Sequence, residues 1–247
     1  MMRRALFPVS MLAFGYAFLY LPIAVLMVYS FNDNRLVAVW SHFSTRWYGE
    51  LFRNAQIADA LWLSLQIAAI SASVSAVFGT MAAFAMQRMG RYAGRGAFEA
   101  LAMAPLILPE VLTGLSLLML FVLLGEAIGW PATRGATTIT LAHIPFGTAY
   151  AIVVIRARLS QLDPRLEEAA ADLGAPPWRN FLRVTLPLLA PAIAAAWLLA
   201  FTLSLDDVVI ASFVTGPGAS TLPIVIFSSV RLGVSPQINA LATLLVL

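Results

Sequence analysis

Apolar and polar residues fall along this chain in long blocks, not in the short alternations of strands or soluble amphipathic helices. From Ala5 to Phe31 there are 27 residues without a charge. A helix crosses the hydrocarbon core of a bilayer with about 20 apolar residues, so this block predicts a first spanning helix. The same reasoning predicts spans over about Ile57–Arg88, Ala97–Leu124, Thr137–Ile155 and from Pro187 to about Val214. A sixth apolar block starts at Ile238 and has reached ten residues at Leu247, too few to cross. The pattern therefore predicts six spans in the intact protein, the sixth cut short here. Met1-Met2-Arg3-Arg4 resembles the basic start of a signal peptide. The apolar run behind it is too long, and no small-residue cleavage site closes it, so the first helix is expected to be retained.

Composition agrees. Hydrophobic residues make up 61% of the 247 and charged residues 11%, where a soluble domain carries about 25% charged. The mean hydropathy is +0.87. Such a chain cannot cover its surface for water, and the expected class is an all-α polytopic membrane protein in one domain, residues 1–247. There is no cysteine, hence no disulfide framework or thiolate metal site, and His42 and His143 are too far apart for a histidine-rich metal cluster. All 15 basic residues are arginine. A phosphate-binding loop of the Walker type needs a lysine, so any ATP used by this protein must be bound by another subunit. No nucleophile–base constellation or nucleic-acid patch stands out, and neither a catalytic role nor a nucleic-acid partner is expected.

The arginines set an orientation. If the spans alternate, Arg3, Arg4, Arg88, Arg91, Arg95, Arg156, Arg158, Arg165, Arg179 and Arg183 share one side. Arg35, Arg46, Arg53, Arg134 and Arg231 take the other. The positive-inside rule places the first side, with the N-terminus, in the cytoplasm. Arginine on that face also suits anionic lipid. Within the second span, Ser71, Ser75, Gly79 and Ala83 recur every four residues. Small residues at that spacing admit a closely packed helix, either inside the chain or at a subunit interface. Trp40, Trp47 and Tyr48 in the first outer loop read as interfacial aromatics.

One stretch breaks the apolar rhythm. Residues 156–183 hold nine of the chain's 27 charged residues (15 basic, 12 acidic). Asp163 can cap a helix, with Pro164 at its first position. Glu167 and Glu168 then lie near the positive end of the helix dipole. Gly174 suits a left-handed C-cap, and Pro176-Pro177 stop one helix and start another. In the second helix Arg179 and Arg183 share a face, with Trp178, Phe181 and Leu182 supplying apolar contacts, and Pro187 marks the entry to the fifth span. The prediction is helix, tight turn, helix across the 156–187 loop. Its Ala169-Ala170-Ala171 run offers a narrow surface that fits a partner's groove. The alternative is a solvated link between spans.

The loop resembles the EAA motif of the permease subunits of ABC importers: Glu-Ala-Ala, three residues, Gly, nine residues, Ile, any residue, Leu-Pro. Here it reads Glu168-Ala169-Ala170, Gly174, Val184, Leu186-Pro187, with valine for isoleucine the one departure. The resemblance extends to SFNDN (30–34), LPEVLTGLSLL (108–118), SLDDVVIASFVTGPGASTLPI (204–224) and GVSPQINALATL (233–244). These are similar to the polyamine branch, in particular to the second permease subunit of spermidine/putrescine importers. The resemblance implies a type I permease in the bacterial inner membrane. It implies a heterodimer with a homologous permease, an ATPase dimer that binds the ATP and Mg, and a periplasmic substrate-binding protein. It also implies that the loop is a coupling helix docked in a cleft of the ATPase. Glu167, Glu168, Ala169, Ala170, Asp172, Leu173, Gly174, Ala175 and Trp178 are its expected contact residues.

Three intramembrane acids are the candidates for meeting a cationic substrate, because ionisable groups in spans are costly and usually functional or paired. Glu110 follows the helix-breaking Pro109 and lies roughly 20 Å up the third span at 1.5 Å per residue. Asp206 and Asp207 lie roughly 28 Å beyond Pro187 by the same count. Together they suggest a vestibule for a di- or polyammonium ion. Against this stand a pairing of Glu110 with a neighbouring helix and a helix-capping role for the aspartates. Neighbours on a helix differ by about 100°, so both aspartates are not expected to face one pathway. His143 reads as a packing residue sooner than a proton relay. Readings left open are a permease for ferric iron, thiamine or phosphonate, a proton-coupled carrier using Glu110, and a membrane scaffold.

Overall fold

The computed structural model describes residues 2–35, 39–90, 92–233 and 235–246. Arg91, counted above for sidedness, and Val234, within the last family-like stretch, lie outside them. The described residues form helices in the order α1 (Met2–Tyr29), α2 (Arg46–Phe52), α3 (Ala55–Arg88), α4 (Arg95–Ile107), α5 (Glu110–Ile128) and α6 (Ala136–Leu159). Then come α7 (Arg165–Asp172), α8 (Pro177–Asn180), a π-helical turn (Phe181–Thr185), α9 (Leu186–Leu205), α10 (Val209–Val214), α11 (Leu222–Leu232) and α12 (Pro236–Val246). Among the described residues, five segments are long and apolar enough to cross a membrane: Phe7–Tyr29, Ala55–Arg88, Glu110–Ile128, Ala136–Leu159 and Pro177–Leu205. The expected start of a sixth span, at Ile238, lies inside α12.

Two of the expected spans are divided. The third breaks at Leu108-Pro109, where Leu108 is extended (φ −77°, ψ 137°). The residue before a proline is pushed out of the helical region, and proline cannot donate the next backbone hydrogen bond. Glu110 therefore opens α5 and is not partway up a continuous span. The fifth breaks at 206–208, between α9 and α10. At its other end the expected separation at Pro187 is absent: α8, the π-turn and α9 run on as one segment. Proline's ring clashes with the carbonyl four residues back in an α-helix. The wider π-turn just before it, where Leu186 N–H donates to Phe181 O, relieves that clash.

The chain divides into two compact units, 1–59 with 225–247, and 60–224. In the first, Asn32 organises the loop after α1. Its side chain donates to Val39 O at 2.7 Å and accepts from Ser41 N at 3.0 Å, and its carbonyl accepts from Trp47 Nε1 at 2.7 Å. Trp47 is 4% exposed. Tyr48 shares a 2.7 Å hydrogen bond with Ser30 and packs on Phe31. These two aromatics thus pack into the protein, in place of the interfacial role expected for them. Trp40 is half exposed, edge-on to Tyr29. Gln237 of α12 donates to Glu50 of α2 at 3.1 Å.

The second unit is built around α6, whose Ile139, Ala142, Ala149, Ala151, Ile152, Ile155 and Leu159 are fully buried. The small-residue row on α3 packs inside this unit. A Cβ on Gly79 would meet Ala151 Cβ at 2.5 Å, and Ser75 Oγ donates to Ile144 O at 3.0 Å. A helix without a side chain at this point brings two backbones together where lipid offers no hydrophobic drive between helices. Gly114 of α5 does the same for α10: a Cβ there would lie 2.6 Å from the Phe213 ring.

Candidate functional site

Two features in the second unit carry functional side chains. The first is the hairpin of α7 and α8. Asp163 Oδ1 accepts the Arg165 N–H at 3.0 Å, and α7 starts one residue later than the sequence suggests. Glu167 and Glu168 fill the first turn, where the free amides favour negative charge. At the other end Gly174 takes φ +82°. Its N–H bonds to Ala171 O at 2.8 Å, and the Ala175 N–H bonds to Ala170 O at 3.0 Å. This is the Schellman stop that a glycine permits, as the sequence predicts. Pro177 then starts α8.

The two glutamates separate. Glu167 turns inward: its carboxylate lies 3.3 Å from Arg88 Nε at the end of α3 and accepts from Thr185 Oγ1 at 3.1 Å. Arg88 also donates to Leu162 O, and Asn180 Nδ2 donates to the Glu167 carbonyl at 2.7 Å. Arg88 thus ties the end of α3 to α7 and to the residues just before it, Thr185 ties α7 to the π-turn, and Asn180 joins α8 to α7 within the hairpin. Glu168, Ala169, Asp172, Leu173, Gly174 and Trp178 face outward, while Ala170 and Ala175 are half-buried. Leu173, at the tip, is 90% exposed and Trp178 61%. Arg179 stacks on Trp178, its guanidinium carbon 5.3 Å from the ring centre. The tip thus exposes a leucine and a tryptophan beside an arginine and two acidic residues.

The second feature is the break between α9 and α10. Asp207 accepts from Ile210 N at 3.3 Å and Ala211 N at 2.7 Å, capping α10. Its Oδ2 also lies 3.2 Å from His143 Nε2 on α6. His143 Nδ1 is 2.6 Å from Ser204 Oγ, which is 3.1 Å from Ser71 Oγ on α3. His143 is a packing residue, 4% exposed, with a defined partner at each ring nitrogen. His143, Ser204 and Ser71 are the residues that sequence reading did not connect to the aspartates. They stand 64, 3 and 136 positions from Asp207, and no local pattern joins them.

Asp206 closes α9, is exposed, and its carboxylate has its own backbone N–H as a partner but no hydrogen bond or ion pair with another of the described residues. Glu110 is likewise exposed and has no side-chain partner among the described residues, so the alternative of a pairing with a neighbouring helix is not found among them. The three acids border one helix pair, because α5, which begins at Glu110, packs on α10, which begins just after Asp207. A cavity of about 620 Å³ lined by Phe121, Glu126, Arg134 and Pro217 among others contains none of the three.

Comparison with known proteins follows this geometry. The family described as "Binding-protein-dependent transport system inner membrane component" matches residues 75–247. The chain is 57% identical over 237 residues to the putrescine transport system permease protein PotI of Escherichia coli K12, covering 96% of this chain and 84% of that one. It is 41% identical over 230 residues to the spermidine/putrescine transport system permease protein PotC of the same organism, covering 93% and 84%. Among solved structures, a bacterial alginate ABC transporter in complex with an alginate pentasaccharide-bound periplasmic protein matches with a TM-score of 0.72 at 17% identity, over 98% of this chain and 88% of that one. At that identity the likeness speaks for the fold alone. The chain belongs to the family of inner membrane components of binding-protein-dependent transport systems, and it is an all-α, multi-pass inner membrane permease.

Proposed function

We propose that this chain is one of two permease subunits of an ATP-driven polyamine importer, with putrescine the favoured substrate and spermidine the alternative. The observation that carries the mechanism is the hairpin's division into a braced inner face and an exposed outer face. A leucine 90% exposed at the tip of a charged turn has its natural partner in a second protein. The substrate class is supported by the named relatives, which transport putrescine and spermidine.

In this reading the hairpin and the N-terminus are cytoplasmic. Glu168, Ala169, Ala170, Asp172, Leu173, Gly174, Ala175 and Trp178 enter a cleft on an ATPase subunit, which binds the ATP and Mg that this lysine-free chain cannot. Glu167 acts on the other side of the helix. Through Arg88 and Thr185 it carries the hairpin's movement to α3 and to the π-turn leading into α9. Closure of the ATPase dimer then biases the permease pair between inward- and outward-open states. A periplasmic binding protein delivers the substrate, and Glu110 and the helix break that exposes Asp206 border its route.

The test is ATP hydrolysis by the complete importer rebuilt in lipid, with putrescine, spermidine or no substrate, in wild type and in Glu168→Arg with Gly174→Asp. Polyamine-stimulated hydrolysis that the double variant loses is the expected result. Stimulation by neither polyamine removes the substrate assignment, and full stimulation in the variant removes the coupling assignment.

A further inference from the structure

We infer that the two adjacent aspartates have different tasks: Asp206 alone meets the substrate's ammonium group, while Asp207 is withdrawn from the pathway by His143 and Ser204, which act as positioning residues. The inference rests on the polyamine reading above and assigns the work within it.

Asp207 has little capacity left for a ligand. One oxygen takes the Ile210 amide and the other takes the Ala211 amide and faces His143 Nε2. The side chain of Asp207 is 11% exposed and that of His143 4%. The hydrogen bonds have one consistent direction, with the Ser71 hydroxyl turned toward Ser204 at 3.1 Å and away from its other acceptor, Ala68 O at 3.2 Å. Ser71 donates to Ser204, Ser204 donates to His143 Nδ1, and His143 Nε2–H donates to Asp207. Each hydroxyl gives its one proton once, and a neutral imidazole gives its one N–H to the carboxylate. Helices α3, α6 and α9 are thereby tied to the first turn of α10.

Asp206 has the opposite surroundings. It is exposed and carries no side-chain partner among the described residues, while its N–H closes α9 on Thr202 O at 3.1 Å. A carboxylate facing lipid at the end of an apolar helix is costly, so such a group faces a water-filled or protein-lined path. It also stands at the C-terminal end of the 20-residue α9, where unpaired carbonyls gather negative partial charge. A carboxylate at that end makes a site for a cation, in the way broken membrane helices coordinate cations with their C-terminal halves. The break is therefore the device itself: Asp207 and His143 hold it open, and Asp206 occupies the exposed end it creates.

The experiment is radiolabelled putrescine uptake by the complete importer in liposomes, with ATP hydrolysis and assembled complex measured in the same vesicles. Asp206→Asn is expected to lower uptake per ATP about tenfold, the value of one charge-assisted hydrogen bond, and Asp206→Glu to restore most of it. Asp207→Asn keeps one oxygen, which at the Oδ2 position still accepts the Ala211 amide and the His143 Nε2–H, and it loses the longer bond from the Ile210 amide. It is expected to stay within about twofold of wild type in uptake per ATP, because this side chain does not meet the substrate and its change acts on folding and assembly, which the ratio cancels. His143→Gln tests the positioning role: it is expected to lower uptake and hydrolysis together, leaving their ratio unchanged. A fall with Asp207→Asn that equals or exceeds that with Asp206→Asn overturns the division and leaves the pathway reading intact. No fall with either overturns both.

Discussion

The hairpin at 165–180 and the helix break at 206–208 are both polar interruptions of an apolar chain, yet they are built in opposite ways. The hairpin puts its chemistry outside. Leu173 and Trp178 are exposed, and one inward glutamate, Glu167, is enough to hold it. The break puts its chemistry inside, with His143, Ser71 and Asp207 withdrawn among three helices and only Asp206 left at the surface. An outward polar element is shaped for a partner's surface. An inward one fixes where the backbone turns. The contrast teaches that in a lipid-facing protein the exposure of a charged group, more than its presence, points to what it binds.

The sharpest way to break this comparison is at the hairpin's tip. Leu173→Asp is expected to weaken ATPase association by at least about 2 kcal/mol, roughly thirtyfold, as for a residue central to an interface. It leaves the isolated chain's thermal midpoint unchanged, because the side chain touches little of its own protein. Pull-down of the ATPase and a thermal scan in detergent check both halves. Next comes the break. His143→Ala removes the acceptor of the Ser204 hydroxyl and one of the two donors to Asp207 Oδ2, and it is expected to cost roughly 1–3 kcal/mol, read as a lowered midpoint in the same scan. The ATPase pull-down stays as in wild type.

Gly79→Ala probes the scaffold between the two regions. Its methyl would come within 2.5 Å of Ala151 Cβ, and overpacking of this kind costs about 1–3 kcal/mol unless the helices separate. Stability falls while the hairpin's affinity for the ATPase is retained. The smallest effect belongs to Arg88→Gln. The ion pair with Glu167 is part-exposed, 15% and 22% for the two side chains, so its loss is expected to cost about 1 kcal/mol or less. Uptake per ATP should fall more than stability does, since the strut is what links hairpin to spanning helix. A stability loss with unchanged uptake per ATP would reduce that strut to packing.

The two regions also differ in how legible they were. The hairpin could be read from residues in order: Asp163, Gly174 and the double proline punctuate helices by local rules, and the structure places each close to its expected turn. The length of the apolar blocks likewise anticipated five spanning segments. What could not be read was which way each charged residue faces. Glu167 and Glu168 are adjacent and chemically alike, and Arg88, 79 positions away, decides between them. Nor could sequence place Ser71, His143 and Ser204 on one carboxylate, because that contact depends on how three helices pack. Trp47 was misjudged for the same reason: an aromatic in an outer loop reads as interfacial until Asn32 is seen to receive its indole N–H. The break at Pro109 is legible in the helix-breaking proline itself, whereas the long apolar block hides the break at 206–208, where Asp207 caps the next helix.

The most direct test of the outward-facing hairpin uses the absence of cysteine from the chain. Leu173→Cys gives a single reactive site at the tip. In membrane vesicles of the assembled importer it should react with a membrane-impermeant maleimide only in inside-out vesicles, and should crosslink to the ATPase through a short bifunctional reagent. Closing the ATPase with ATP and vanadate should change the yield. Labelling in right-side-out vesicles, or a fully accessible cysteine that never crosslinks, would contradict the hairpin's role as the coupling element.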